Sequence, residues 1–469
     1  MSAPSKDVYL VIGGSGFLGR HIVNQLLERG DNVSVFDIVQ RYHDVPFYSG
    51  DISEQDQVAT ALRKSGTTCI IHVASPPHGL KDPSLYWKVN VDGTKAAIAA
   101  AQETDVRKLV FTSSAGVVFN GADIVDIDER LPPPEKPMDA YNDSKAHGEA
   151  AVLEANGKGG LLTVALRPAG IFGPGDHQVM AGLYAVYEKG QTHFQIGDNT
   201  NIFDWTYVEN VAYAHLLAAD RLSLPAPAPP LDKLPEDEKK RYSLEKLPEL
   251  TPAEKKILEY PLPSIDLTTG ARRVPTSDAR PLGPYISPTP NAEKLLTAFH
   301  DPDSASAYRP VVRTRFDALG DSAVARSKLL YPDHSPLAVA GQAFFITNGE
   351  PCYFWDFMRV VWHQLDLIFP DKRKPRSPFV LPKPVGMAAA TLLEWIGWMT
   401  GRPAALTPFR VTYSCASRWH NIEKARRVLG YEPRVSLEEG VKRLVTVRCF
   451  TLVWNTTDFY FCSGGVRNM

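Results

Sequence analysis

Tyr141 and Lys145 stand one helical turn apart in the run Tyr-Asn-Asp-Ser-Lys, so a helix there points both side chains the same way. A phenol ordinarily keeps its proton to about pH 10, and an adjacent ammonium favours the phenolate. The pair therefore reads as an acid/base usable near neutral pH, against the alternative of an ion-supporting pair on a helix surface. Upstream, Thr112-Ser113-Ser114 closes an apolar run. A hydroxyl at a strand end can hydrogen-bond a reacting oxygen; Ser114 is the preferred candidate and Ser113 the alternative, against simple capping. Asn90 is a candidate to hold the helix of Tyr141 through backbone or water contacts. His72, His78 and His177 include no pair at metal-ligand spacing with a third ligand nearby, so they read as structural and no metal is expected.

Such residues need a scaffold, and residues 8–37 supply its start. An apolar run over 8–12 predicts a buried strand, and Gly13, Gly16 and Gly19 follow at regular spacing. Ile22, Val23, Leu26 and Leu27 recur with helical period, and a second strand over 33–36 ends on Asp37. Strand, glycine turn, helix, strand and acid are the parts of a dinucleotide site. The glycines let the backbone approach a pyrophosphate at the helix N-terminus, where Phe17 and Leu18 also fall. Asp37 can accept from the adenosine ribose and repels a 2′-phosphate, which favours NAD, with NADP as the alternative because Arg41 softens the choice.

Strands and helices keep alternating after Asp37. Helices are expected over 54–64, 85–103 and 141–154, and strands over 69–74, 108–113 and 162–166. This pattern predicts an α/β fold, a Rossmann-type doubly wound parallel sheet with ligands at the carboxyl ends of its strands. Asp51, Ile52, Ala74, Ser114 and Pro168 fall at or just past such ends, with Pro168 fixing a turn beside the nicotinamide ring. Residues 1–221 form this NAD-binding domain.

From 222 to 340 the texture changes to proline and charge, as in the Pro225–Pro230 run, and predicts an exposed, partly disordered insertion. A smaller C-terminal substrate-binding region follows over 341–445, with a strand at 343–348, a helix at 354–369 and a short helix at 421–429. Residues 446–469 make an atypical apolar tail, poorly ordered or strand-like. Over 385–399, Trp395, Trp398 and Met399 give one bulky apolar side, too short to span a bilayer, that suits either a membrane interface or the core.

With 44% hydrophobic residues, 22% charged and a formal net charge of -2, the chain is globular in composition and has no basic block for nucleic acid. Its 5 cysteines are dispersed, which fits a reducing compartment and no disulfide framework. The first ten residues contain neither a secretory signal nor an anchor.

The motifs GGSGFLG at 13–19, NVDGT from Asn90, SSAGVVF from Ser113, YNDSK from Tyr141, RPAGIFGPGD from Arg167 and DWTYVENVAYAH from Asp204 resemble the extended short-chain dehydrogenase/reductase family. Within it the chain is similar to the 3β-hydroxysteroid dehydrogenase branch, a likeness resumed over 344–443 by NGEP and RWHNIEKARRVLGYEP. The resemblance implies Tyr141 as general base, Lys145 as the group that lowers its pKa and holds the ribose, and Ser114 as the hydroxyl positioner. It implies Gly13, Gly16 and Gly19 on the pyrophosphate, Asp37 on the ribose, and Asp51 with Ile52 on the adenine. The implied activity is NAD-dependent oxidation of the 3β-hydroxyl of a 4α-carboxysterol with loss of carbon dioxide. Its implied setting is the cytosolic face of the endoplasmic reticulum, among other sterol C4-demethylation enzymes; a homodimer is left open. The rivals are a nucleotide-sugar epimerase or dehydratase and an NAD-binding regulatory protein without turnover.

Overall fold

Strand β1, Val8–Ile12, sends alternate side chains to opposite cores. Tyr9 and Val11 pack with Ile22, Val23 and Leu26, whereas Leu10 and Ile12 pack with Val58, Leu62, Ala97 and Val152. A strand buried on both faces has no polar side to show, which is why its sequence is a continuous apolar run. The computed structural model describes residues 7–223 and 338–454, apart from 81, 371, 375, 402, 403, 405 and 423. The expected insertion at 222–340 therefore falls almost wholly outside the described residues.

The further strands are β2 (Asn32–Asp37), β3 (Phe47–Ser49), β4 (Cys69–His72), β5 (Lys108–Thr112), β6 (Ile124–Ile127), β7 (Leu162–Pro168), β8 (Gly170–Phe172), β9 (Phe194–Ile196), β10 (Ile202–Phe203), β11 (Trp205–Tyr207), β12 (Gln342–Ile346), β13 (Cys352–Tyr353), β14 (Phe379–Leu381) and β15 (Arg418–His420). Seven of them form the main sheet in the order β12-β7-β5-β4-β1-β2-β3, with every pair parallel. The chain runs outward from β1 in both directions, so a crevice opens at the carboxyl ends beside β1 and β4, where doubly wound sheets bind ligands.

Helices α1 (Phe17–Arg29), α2 (Gln55–Ser65), α3 (Ser84–Tyr86), α4 (Thr94–Glu103), α5 (Ala140–Glu154), α6 (Val179–Glu188) and α7 (Val208–Arg221) come from the first part of the chain. Helices α1 and α7 cover one face of the sheet, and α2, α4 and α5 cover the other. The predicted helix over 85–103 is interrupted by a π turn at Trp87–Gly93, a distortion that often marks functional positions. The rest of the described chain adds α8 (Phe354–Ile368), α9 (Lys383–Thr400), α10 (Pro408–Cys415) and α11 (Leu437–Trp454). A third core, with Phe172, Leu183, Trp205, Phe357, Trp362 and Leu444, joins α6, α8 and α11.

Four expectations need correction. The division at residue 341 does not hold for the main sheet, because β12 is its edge strand, zipped to β7 from Gln342↔Val164 to Ile346↔Pro168. The apolar tail is helical as far as Trp454, since α11 runs through 446–454; residues 455–469 lie outside the described residues. The short helix at 421–429 reduces to a π turn at Ala425–Leu429 closed by Gly430 with φ +60°. The core alternative for 385–399 is excluded: α9 buries only Gly386 and Ala390, while Trp395 is 58% and Trp398 80% exposed. Among the described residues no helix is long and apolar enough to cross a membrane.

Candidate active site

The glycine turn follows directly from β1. Gly13 has φ +88°, and a methyl there would sit 2.6 Å from the Ala74 nitrogen; one at Gly19 would sit 2.2 Å from the Gly13 carbonyl oxygen. Only hydrogen fits at either position, so the turn lies tight against β4 and the start of α1. Helix α1 begins after Gly16 without a side-chain cap, leaving its first amides free to face an anion. At the end of β2, Asp37 accepts from the amides of Ser15 (3.0 Å) and Ile38 (2.8 Å), so one carboxylate fixes the turn and the edge of the crevice. Arg41 donates to the Ser15 carbonyl at 3.4 Å. Asp51 is held down to about 2, first by its hydrogen bond from Lys88 at 2.9 Å. Ile52 is buried and in close register with Gly93.

One cavity of about 1740 Å³ runs past these residues: Gly13, Gly16, Phe17, Leu18, Gly19, Asp37, Asp51, Ile52, Ala74 and Pro168 line it together with Ser114, Tyr141 and Lys145. Beyond Tyr141 its wall becomes apolar and aromatic, with Leu183, Phe203, Trp205, Trp362 and Phe409. This exceeds the roughly 300–1,000 Å³ of a pocket for a single small ligand. It has room for a dinucleotide and a bulky apolar second molecule.

Helix α5 positions the acid/base pair. Asp139 caps it, accepting from the Asn142 amide at 2.8 Å. Lys145 is buried, donates to the Thr112 carbonyl and lies 4.4 Å from the centre of the Phe111 ring. Burial drives it down to about 7, opposed by the charge of Glu149. Tyr141 is pushed up to about 12, chiefly by burial, with a hydrogen bond to Ser75 pulling the other way. In the protein by itself burial dominates both groups, and it disfavours the charged form of each.

Ser114 caps the short 3-10 turn Ala115–Val118, its Oγ accepting from the Gly116 amide at 3.0 Å. The Oγ of Ser113 is buried and lacks a hydrogen-bond partner among the described residues, and it too lines the cavity. Asn90 holds α5 through its side chain as well as its backbone: its Nδ2 donates to Ser144 Oγ at 2.9 Å, and Ser144 donates to the Tyr141 carbonyl at 2.8 Å. The π turn brings it there, and Gly148 packs so closely on the Asn90 carbonyl that a methyl would sit 2.3 Å away.

His72 is buried against Thr94 and lowered to about 3 by burial; His78 pairs with Asp139 at 3.0 Å beside the Tyr141 ring. His177 lies in the cavity wall. No group of three metal-ligating side chains occurs among the described residues. Ser75, Tyr413, Arg418 and His420 join the site without local signals of their own, since the fold brings them from strand ends and from β15 and α10.

Residues 10–233 match the 3-beta hydroxysteroid dehydrogenase/isomerase family. The chain is 35% identical to the sterol-4-alpha-carboxylate 3-dehydrogenase (decarboxylating) of Schizosaccharomyces pombe, over 97% of this chain and 99% of that one. It is 36% identical to the enzyme of that name from Saccharomyces cerevisiae, over 96% and 97%. Among solved structures it is similar to UDP-glucose 4-epimerase of Thermotoga maritima, with TM-score 0.55, 18% identity and coverage of 95% of this chain and 99% of that one. The NAD complex of the Thermus thermophilus UDP-glucose 4-epimerase gives TM-score 0.52 at 20% identity, over 94% and 98%. At these identities the epimerases share the fold alone.

Proposed function

Because the chain belongs to the 3-beta hydroxysteroid dehydrogenase/isomerase family, we propose that it oxidises the 3β-hydroxyl of a 4α-carboxysterol with NAD and releases the carboxyl group as carbon dioxide, in sterol biosynthesis. The observation that carries the substrate class is the likeness, along nearly the whole chain, to enzymes named for that reaction. The geometry agrees with it: a single cavity joins the glycine turn to Tyr141 and continues into apolar walls suited to a sterol.

The residues present fit a dinucleotide. Gly13 and Gly19 leave a cradle that a methyl would fill, the uncapped start of α1 offers amides to the pyrophosphate, and Asp37 stands at the β2 edge for the ribose. The same carboxylate disfavours a 2′-phosphate, so NAD is the cofactor rather than NADP. Oxidised nicotinamide, held by the glycine turn, would supply a hydride acceptor and a positive charge. Protonated Lys145 would favour the phenolate that burial otherwise suppresses. Tyr141 then takes the hydroxyl proton, and the Ser114 hydroxyl donates to the same substrate oxygen. Lys145, one helical turn from Tyr141 on α5, is anchored on the Thr112 carbonyl. The product is a β-keto acid, whose ketone accepts the electrons released as carbon dioxide departs, and a proton completes the ketone.

Sterols reside in membrane, and α9 supports peripheral attachment. Its exposed apolar side chains belong to a helix packed on α10, which contributes Phe409 and Tyr413 to the cavity wall. The basic run over 372–376 precedes it in sequence and Lys383 opens it, cations of the kind that anionic headgroups attract. The reading places the enzyme on the cytosolic face of the endoplasmic reticulum. The test of function is NADH formation by purified protein with 4α-carboxysterols beside UDP-sugars. NADH from the sterol acids alone is expected; turnover with UDP-sugars alone would overturn the reading.

A further inference from the structure

Strand β15 presents to the cavity a cation that hydride transfer does not require. The Arg418 guanidinium lies over the rings of Tyr413 (3.6 Å to the centroid), Phe203 (4.2 Å) and Phe119 (4.9 Å). Its Nη2 donates to the Tyr413 carbonyl at 3.2 Å, while its Nε is buried and without a hydrogen-bond partner among the described residues. The acid that acts on it, Asp139, already caps α5 and bonds His78. Burial works against its charge, but guanidinium does not give up its proton in proteins, so a cation persists at the wall of an apolar cavity. A desolvated charge of this kind is costly unless an anion completes it.

Its position says which anion. Tyr413, stacked on Arg418, acts electrostatically on Tyr141, and Asp139 precedes Tyr141 on the same helix end. The guanidinium thus sits at the acid/base end of the cavity. In a 4α-carboxysterol the carboxylate is on the carbon next to the one bearing the reacting hydroxyl. A group that grips it must lie on the Tyr141 side of the cavity, to which Arg418 is joined through the ring contacts Tyr413–Phe409, Phe409–His78 and His78–Tyr141. His420, on the same strand, also has a buried ring nitrogen without a partner among the described residues, but its other nitrogen is paired with Asp204 at 3.0 Å, whose negative charge makes it a poorer anion receptor.

We propose that Arg418 receives the substrate's carboxylate and so makes the enzyme select sterol acids over neutral 3β-hydroxysterols. The proposal rests on the sterol-acid reading above. A cation on the carboxylate stabilises it relative to carbon dioxide, so Arg418 acts in binding and in placing the hydroxyl at Tyr141, and not in promoting carbon dioxide loss.

The test is binding to the NADH-loaded enzyme, which cannot turn over, of a 4α-carboxysterol and of its 4α-methyl counterpart, followed by tryptophan fluorescence. Wild type is expected to favour the acid by about a hundredfold or more, as for a charge-assisted bidentate contact. Arg418→Met keeps the bulk among the three rings and should abolish that preference, leaving affinity for the neutral sterol, affinity for NADH and Tm unchanged. A folded variant that still prefers the acid, or that weakens both sterols equally, overturns the proposal. Should the methionine variant not fold, Arg418→Lys decides: it is expected to keep the preference in reduced form, and weakening of both sterols alike would show a packing role only. Absence of NADH formation from any 4-carboxysterol by the wild type would overturn the sterol-acid reading and this proposal with it.

Discussion

Tyr141 and Lys145 are both driven toward their neutral forms by burial, the phenol up to about 12 and the ammonium down to about 7. The free protein therefore holds the phenol in its acid form. Tyr141→Phe removes the proton acceptor while leaving the glycine turn untouched. Turnover is expected to fall by roughly a hundredfold to ten-thousandfold with NAD affinity unchanged, which steady-state kinetics and NAD titration would show. Lys145 makes a separate prediction about stability. Its folded value of about 7 lies below its ordinary 10.5, so the unfolded chain binds the extra proton between those values. Stability lent by the neutral amine is thus absent below pH 7 and grows as pH rises toward 10.5. Wild type should gain stability relative to Lys145→Met across that window in urea unfolding; a difference constant with pH would contradict it. The tyrosine and lysine were legible from their spacing within the alternation of strand and helix, and the serine run from its place at a strand end. Arg418 and Ser75 were not, because residues distant in sequence bring them to the cavity.

At the level of elements, the turn after β1 depends on space as much as on conformation. Gly19→Ala puts a methyl 2.2 Å from the Gly13 carbonyl oxygen, so α1 must shift. NAD affinity is expected to drop by at least tenfold, measured by titration of protein fluorescence; unchanged affinity would remove this turn from the cofactor site. Helix α9 was visible as an apolar stretch, but its exposure was not, since core burial and interface binding recruit the same residue types. Trp395→Ser with Trp398→Ser changes side chains 58% and 80% exposed, so folding should persist. Co-sedimentation with anionic liposomes should be lost in that double variant, and binding equal to wild type would place any attachment elsewhere. The π turn at Trp87–Gly93 left no sequence mark at all: its apolar spacing reads as ordinary helix, and only the contact of Asn90 with Ser144 explains it.

Across the whole molecule, the sheet is completed by chain that returns after a long excursion. The alternation of strand and helix made the parallel sheet legible up to β7, but β12 looked like the start of a separate region. A short apolar strand is the same whether it founds a sheet or finishes one, and only its pairing with β7 distinguishes the two. Phe344, Phe345 and Ile346 of β12 are fully buried in the core shared with Val164, Leu166 and Val211. A fragment ending at Ser223 would leave β7 as an open edge above a bare core face, and it should aggregate or bind a hydrophobic dye. A soluble fragment with a sharp thermal transition and NAD affinity like that of the full chain would refute the single shared core.

The central claim, that Tyr141 and the cavity around it oxidise a sterol acid which then loses its carboxyl carbon, is tested most directly by stoichiometry. A 4α-carboxysterol labelled in the carboxyl carbon is incubated with purified protein and NAD, and NADH and labelled carbon dioxide are counted together. One carbon dioxide per NADH is expected from wild type, with both falling in parallel in Tyr141→Phe. NADH without carbon dioxide, or neither product from any sterol acid, would contradict the account.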